Sequence, residues 1–313
     1  MIICLAANPS IDKLFEIDRL VRGDIHRPLG FVQTAGGKGL NVARAAHALG
    51  SEVCAVPLLR GHAGKWLEET LSAEGVRSTA VWTHGENRSS LSVADRETGG
   101  LTEFYEHGSE VPAASWVELS HTAAALYERA SWLTISGSLP PGAPPGGYAD
   151  VVREARAAGV GVALDADGER LRGALEGGPD IVKVNAAEAG DLLGVPTARG
   201  ADALAAAQKL RELAGGRGHT GVVTRGADGV VLAAPDGSLY VGSLYVRGRY
   251  PVGSGDAFLA GLVVGLERSP GDWDGALRLA LGAGTANSEL PGAGKLDAAR
   301  AEALAAQAQV RMV

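Results

Sequence analysis

Short apolar runs alternate with Ala- and Leu-rich segments of helical periodicity along most of the chain. Helices are predicted most clearly at residues 40–49, 148–159 and 201–216, and each segment stops at a glycine, the usual residue at a helix C-terminus. Strands are predicted at residues 2–6, 53–59, 132–136, 160–165, 180–185, 221–224 and 230–234. Nearly continuous apolar strands that alternate with helices indicate βαβ units and a sheet covered on both faces. The pattern predicts an α/β protein with a central, mostly parallel sheet.

Two segments depart from this alternation. Residues 12–34 and 87–106 show a period of two with glycine-containing turns, and the second is expected to be a hairpin that turns at Thr98-Gly99-Gly100. We expect both to form a small antiparallel sheet outside the main one. The Pro- and Gly-rich stretch at 139–147 has βα units on both sides, so it is interpreted as a loop within one domain that spans residues 1–313.

Composition and charge narrow the class of protein. The 313 residues are 46% hydrophobic and 21% charged, as in a globular chain. The formal net charge of −7 disfavours nucleic acid or an anionic membrane as the main partner. Cys4 and Cys54 lie in apolar strand-like runs, the chain start lacks signal-peptide features, and no run approaches the ~20 apolar residues of a membrane span. We therefore expect a cytoplasmic protein with reduced thiols.

The sharpest local signal is the segment VGSGDAFLAGLVVGL at 252–266. Gly253, Ser254 and Gly255 precede Asp256 where an apolar helix is expected to begin. Free backbone N–H groups at a helix start attract anions, and glycines let a phosphate approach the backbone. An aspartate beside such a site suits a group that takes a proton from a nucleophile. An ordinary Gly-rich turn with Asp256 as the helix N-cap explains the segment equally well.

Two further segments place cations beside glycines or strand ends. Gly37 and Lys38 lie in the GGKG run that opens a predicted helix, with Asn41 in its first turn. Lys183 and Asn185 end an apolar strand and Glu188 enters the next helix, an arrangement that suits a phosphate or hydrated Mg²⁺. The alternatives are a solvated lysine for the first segment and a capping box between Asn185 and Glu188 for the second.

Other nucleotide and hydrolase motifs are missing. The Walker pattern, a G-x-G-x-x-G run after a strand and the G-x-S-x-G elbow do not occur in the sequence. NPSID at 8–12 places Asp12 after the first strand, where a carboxylate could hold sugar hydroxyls. TRGADG at 224–229 is a Gly-rich turn that could contact a nucleotide, and an ordinary turn is the alternative.

Taken in order, NPSID, GGKGLNVARA, SGSLPPG at 136–142, KVNAAE, TRGADG and VGSGDAFLAG resemble the ribokinase-type (PfkB) carbohydrate kinases. Within the family they look most like the 1-phosphofructokinase and tagatose-6-phosphate kinase group. The resemblance implies a ribokinase-like three-layer sandwich with a small β lid formed by about residues 12–34 and 87–108. It also implies a homodimer through that lid, in which Leu14, Phe15, Leu91 and Val93 could make the contact.

The resemblance implies ATP- and Mg²⁺-dependent phosphorylation of fructose 1-phosphate, fructose 6-phosphate or tagatose 6-phosphate. Asp256 would be the catalytic base, with the N–H groups around Gly253, Ser254 and Gly255 as the anion site. The remaining implied roles are sugar hydroxyl binding by Asp12, Gly37 and Asn41; binding of the phosphate on the sugar by Lys38, Arg88 and Arg27; nucleotide binding by Lys183, Asn185, Thr224, Gly226, Gly229 and Asn287; and Mg²⁺ binding, through water, by Asn185 and Glu188. The alternatives are a kinase for an unphosphorylated sugar or nucleoside and a non-catalytic sugar-phosphate or nucleotide sensor.

Overall fold

The computed structural model describes residues 1–195, 197, 200–246 and 248–313. Its strands are β1 Ile2–Ala6, β2 Ser10–Ile17, β3 Gly30–Gly36, β4 Val53–Arg60, β5 Val81–Thr83, β6 Arg88–Asp95, β7 Leu101–Tyr105, β8 Trp132–Ser136, β9 Gly161–Asp165, β10 Ile181–Asn185, β11 Thr220–Thr224, β12 Val230–Ala233, β13 Leu239–Ser243 and β14 Gln309–Met312. Its helices are α1 Lys38–Ala48, α2 Gly61–Ala73, α3 Ala113–Ala124, α4 Gly147–Ala157, α5 Gly168–Leu175, α6 Ala186–Leu193, α7 Gly200–Ala214, α8 Ser254–Arg268, α9 Trp273–Glu289 and α10 Ala298–Ala305. Short 3₁₀ turns lie at Tyr127–Arg129 and Gly226–Asp228.

The large sheet has the strand order β14-β13-β12-β11-β10-β9-β8-β1-β4-β5. Its strands are parallel from β11 to β5, and β12, β13 and β14 add antiparallel pairings at one edge. All seven predicted strands are confirmed, and the three predicted helices are α1, α4 and α7. The prediction of a mostly parallel central sheet is therefore confirmed.

Two apolar cores lie on opposite faces of this sheet, because successive strand residues point to opposite sides. Ile2 and Cys4 of β1 belong to the core that includes buried residues of α1, α8, α9 and α10. Ile3 and Leu5 belong to the other core, under α3, α4, α5 and α7. This three-layer arrangement explains why the strands carry almost no polar residues before their last positions.

The small sheet has the order β3-β2-β6-β7 and lies beside the carboxyl ends of the parallel strands. Its outer pairings, β2 with β3 and β6 with β7, are antiparallel as predicted, and the hairpin turn at 98–100 is confirmed. The central pairing of β2 with β6 is parallel, so the small sheet expected to be antiparallel has one parallel pairing at its centre. The reason is that β2 and β6 follow β1 and β5, which point the same way in the large sheet.

Candidate active site

A cleft of about 1390 Å³ lies between the small sheet and the carboxyl edge of the large sheet. Ligands of open α/β sheets bind at this edge because the loops after parallel strands meet there. The cleft brings together most of the residues singled out from the sequence, which come from six separate segments of the chain. They are Asp12, Gly37, Lys38, Asn41, Arg88, Lys183, Asn185, Glu188, Thr224, Gly226, Gly253, Ser254, Gly255 and Asp256.

Two helices direct their N-termini into the cleft. Helix α1 begins after Gly37, at φ 87°, and α8 begins after Gly253, at φ 80°. Only glycine adopts such angles freely, and a side chain at Gly253 would also lie 2.7 Å from the backbone of Ala293. The free N–H groups and the positive ends of both helix dipoles favour an anion between them.

The carboxyl group of Asp256 lies where the two helices meet. Its Oδ2 accepts a hydrogen bond of 2.8 Å from Nδ2 of Asn41, and the side chain is buried. Burial, followed by the negative charge of Asp165, raises the pKa of Asp256 to about 7, against the lowering influence of Lys38 and the Asn41 hydrogen bond. A carboxyl group with a pKa near neutrality can accept a proton and release it again at cellular pH.

Sequence reasoning missed Asp165, the last residue of β9. It is fully buried and forms ion pairs with Lys38, at 3.1 Å, and with Lys183. Burial alone would raise the pKa of Asp165, but the two ammonium groups outweigh burial and hold that pKa below its usual range. The available signal was an acidic residue at the carboxyl end of an apolar strand, the position that also marked Asn185.

The paired lysines border the anion site. A side chain at Gly255 would lie 3.0 Å from Nζ of Lys183, so the ammonium group lies directly against this loop. Lys38 lies within 3.8 Å of Glu188 as well as in its pair with Asp165, whose charge raises the pKa of Lys38. The positive charge is therefore held in place before any ligand enters.

The capping box proposed for Asn185 and Glu188 is present. Asn185 Oδ1 accepts from the N–H of Glu188 at 2.9 Å, and Glu188 Oε2 accepts from the N–H of Asn185 at 2.8 Å. This leaves Glu188 Oε1 on the cleft side, near Lys38. The described part of the chain has no cluster of three or more His, Cys, Asp or Glu side chains that could hold a metal directly.

Asp12 and Arg88 lie on the small-sheet side of the cleft. Asp12 accepts from the hydroxyl of Ser10 and from the N–H of Gly37 at 3.1 Å, and burial raises its pKa. Arg88 donates to the carbonyl of Asn8 at 3.3 Å and to the hydroxyl of Ser90 at 3.2 Å. Within the described residues, no carboxylate lies within salt-bridge distance of Arg88, and burial lowers its pKa.

Three residues singled out from the sequence lie outside the cleft lining. Arg27 is exposed in the connection between β2 and β3. Gly229 is a buried turn residue whose missing side chain leaves room for the carbonyl of Gly242, 2.2 Å from the position of a Cβ. Asn287 is completely buried and donates to the carbonyl of Val252 at 2.9 Å, so it supports the anion loop from behind.

The sequence profile of the pfkB family carbohydrate kinases matches residues 6–299 of this chain. The chain belongs to this family. A 1-phosphofructokinase of Haloferax volcanii is 35% identical to it over 281 residues, which cover 89% of this chain and 88% of the relative. The protein is accordingly a carbohydrate kinase, and the recognition made from its motifs is confirmed.

Solved structures of related kinases share the fold of this pfkB-family chain. Phosphofructokinase-2 from Escherichia coli, in complex with substrates and products, superposes with a TM-score of 0.88 at 24% identity over 98% of both chains. A possible 1-phosphofructokinase from Thermotoga maritima superposes with a TM-score of 0.87 at 22% identity, over 100% of this chain and 99% of the other. These likenesses confirm the predicted ribokinase-like fold. No helix in the described ranges is long and apolar enough to cross a membrane.

Proposed function

We propose that this kinase transfers the γ-phosphoryl group of ATP to a hydroxyl of a sugar phosphate, with fructose 1-phosphate as the first substrate to test. Fructose 6-phosphate and tagatose 6-phosphate are the closest alternatives. The name of the Haloferax volcanii relative supports this order. The observation that carries the proposal is the guanidinium of Arg88, which faces the cleft beside Asp12 with neutral hydrogen-bond partners.

A partly buried cation that no carboxylate contacts directly is unfavourable in the empty protein, and a dianionic group on the substrate relieves that cost. A guanidinium also binds phosphate through two parallel hydrogen bonds, which fixes the orientation of the sugar. Arg88 lies on the same side of the cleft as Asp12, and Asp256 lies at the meeting point of α1 and α8. A sugar phosphate bound in this way would present a hydroxyl to Asp256 with its own phosphate held away from the reaction.

In the proposed reaction, Asp256 accepts the proton of the attacking hydroxyl as the sugar oxygen forms its bond to the γ-phosphorus. The bond from that phosphorus to the bridging oxygen breaks, and ADP leaves with the electron pair. The transferring group carries its charge on oxygens, so donors that are already oriented stabilise it. The N–H groups at the start of α8, around Gly253 to Gly255, and the ammonium of Lys183 would supply that stabilisation.

The donor set at Asn185 and Glu188 fits Mg²⁺ that keeps its water shell and is held mainly by nucleotide phosphates. Both side chains are engaged in the capping box, but Glu188 Oε1 remains on the cleft side. Mg²⁺ commonly keeps several waters and uses one or two carboxylates together with substrate phosphates. When bound, the ion would neutralise part of the phosphate charge.

We also propose that the small sheet acts as a lid and as a dimer contact. Its inner face carries Asp12 and Ser90, whereas Phe15 and Phe31, opposite each other in the β2–β3 register, pack edge to face on the outer side. Phe31 and Phe104 are each more than half exposed, as expected of a surface that a second copy covers. Leu14 lies on the inner face, so it is not part of the proposed contact.

The test is a coupled assay of ADP release over fructose 1-phosphate, fructose 6-phosphate, tagatose 6-phosphate, fructose, ribose and a set of nucleosides. The proposal expects the highest kcat/KM for a phosphorylated sugar, fructose 1-phosphate in the first place. A higher kcat/KM for fructose or ribose than for any phosphosugar would make a neutral-sugar kinase the correct account. Binding of ligands without any ADP release would favour the sensor instead.

A further inference from the structure

A buried arginine behind the cleft is not used by the proposed mechanism. Arg44 lies one helical turn after Asn41 in α1, and only 5% of it is exposed. Its guanidinium contacts four separate parts of the molecule. Nε pairs with Glu74 at the end of α2, at 2.7 Å, and Nη2 donates to the carbonyl of Ala35 at the end of β3. Nη1 donates to the carbonyl of Ala293 at 2.9 Å and to Oδ1 of Asn41 at 3.4 Å.

The contact with Asn41 is the informative one, because it decides which way the amide faces. Asn41 has one oxygen and one NH₂ group, and it lies between a pure donor, Arg44, and a carboxylate, Asp256. With the oxygen toward Arg44 and the NH₂ group toward Asp256, both contacts are favourable. The flipped amide would place two donors against each other on one side and two acceptors on the other.

The guanidinium that sets this orientation is itself firmly held. Glu74 and two backbone carbonyls, those of Ala35 and Ala293, accept from three of its other four N–H groups. The carbonyl of Ala293 belongs to the segment that packs against Gly253, at the start of the anion loop. Arg44 therefore joins the end of the small sheet, the back of the anion loop and the first turn of α1.

We propose that Arg44 is a positioning residue, which fixes the amide of Asn41 and through it the carboxylate of Asp256. The inference rests on the proposed role of Asp256 as base. Arg44 does not touch the cleft, so its removal should reduce the rate of the chemical step and leave nucleotide binding unchanged. A carboxylate that is free to rotate spends less time aligned with the attacking hydroxyl.

The main test is a double-mutant cycle of Arg44→Lys and Asn41→Ala, measured as kcat and as KM for ATP. Lysine keeps the charge but loses the planar fork that holds several partners at once. We expect Arg44→Lys to lower kcat about tenfold, which corresponds to ~1.4 kcal/mol of activation free energy, with KM for ATP unchanged. In the Asn41→Ala background the same substitution should change kcat by less than about twofold.

Arg278→Lys is the matched control. Arg278 in α9 also pairs with a carboxylate, Asp274, and donates to two backbone carbonyls, but it lies away from the cleft. We expect Arg278→Lys to lower the stability about as much as Arg44→Lys does and to leave kcat unchanged. The inference is overturned if Arg44→Lys lowers kcat equally in the wild-type and Asn41→Ala backgrounds. It is also overturned if Arg278→Lys lowers kcat as much as Arg44→Lys does.

If Arg44→Lys does not fold, Glu74→Ala, which removes the acceptor for Nε of Arg44, takes its place. Glu74 holds the far side of the guanidinium and is partly exposed, so its replacement should be tolerated. A reduction of kcat by about two- to fivefold that disappears in the Asn41→Ala background supports the inference, and an unchanged kcat overturns it. The proposed function fails separately: if Asp256→Asn keeps the wild-type kcat, Asp256 is not the base and Arg44 has nothing to position.

Discussion

Asp256 must lose its own proton before it can accept one from a sugar hydroxyl. Because burial and Asp165 raise its pKa to about 7, kcat/KM should rise roughly tenfold per pH unit below that value and level off above it. Substrate phosphates also ionise near pH 6, so wild type alone does not identify the group. Asp165→Asn removes the negative charge and leaves Lys38 and Lys183 less neutralised, and both changes lower the pKa of Asp256. The acid limb should therefore move to lower pH in this variant. An unmoved limb would assign the titration to the substrate.

Arg88 is the residue that separates a phosphosugar kinase from a kinase of neutral sugars. Charge-assisted hydrogen bonds are each worth roughly 1.5–3 kcal/mol, so Arg88→Ala should reduce kcat/KM for the phosphosugar by about 10–100-fold. Activity on the unphosphorylated sugar should hardly change. Arg96→Ala is the control, since Arg96 follows the same strand but pairs with Glu16. Equal losses on both substrates would mean that Arg88 supports the small sheet instead of binding phosphate.

The residues that could be predicted were those with a local signal. Asp256 follows three small residues before an apolar helix, and Asn185 and Glu188 have capping-box spacing, so each was visible within a few positions. Asp165 has only its place at the end of an apolar strand as a signal, and Arg44 has none, because their roles depend on partners 127 and 249 positions away, Lys38 and Ala293. Such contacts exist only once the strands and helices have packed.

At the scale of elements, Glu188 in the first turn of helix α6 has two proposed roles, one in the helix cap and one in binding hydrated Mg²⁺. Glu188→Gln keeps an oxygen for the N–H of Asn185, so the thermal stability should change little. Loss of the negative charge should raise the Mg²⁺ concentration needed for half-maximal rate and should barely alter KM for the sugar. A Mg²⁺ titration of the rate gives the half-maximal concentration, and a melting curve gives the thermal stability. A lower Tm with an unchanged Mg²⁺ dependence would leave Glu188 with a capping role only.

The elements themselves were largely predictable, since strand and helix periods are local properties. The parallel pairing of β2 with β6 was not, because the period of two in each segment says nothing about the direction of its neighbour. That direction is set by where β1 and β5 end in the large sheet. Arg27 belongs to a segment with the same period of two, but the structure places it in the exposed connection between β2 and β3, so its predicted contact with the phosphate on the sugar stays a prediction.

At the scale of the whole molecule, the outer face of the small sheet predicts a dimer. Phe31→Glu places a charge on the proposed contact and should convert a dimer at micromolar concentration into a monomer, as measured by light scattering after size exclusion. Leu213→Glu, at an exposed apolar position of α7, is the control and should not change the mass. A wild-type monomer, or a Phe31→Glu dimer, would contradict a dimer through this face.

The most direct test of the whole account is the rate of ADP release with fructose 1-phosphate by wild type, Asp256→Asn and Asp272→Asn. Asp272 is a matched control, because it caps α9 through the N–H of Gly275 and lies outside the cleft. We expect Asp256→Asn to lower kcat by about 10²–10⁴, the usual contribution of a positioned base, while Asp272→Asn keeps the wild-type rate. At pH 8 Asp256→Asn should melt no lower than wild type, since it removes a buried charge. A folded Asp256→Asn protein with wild-type kcat would contradict the account.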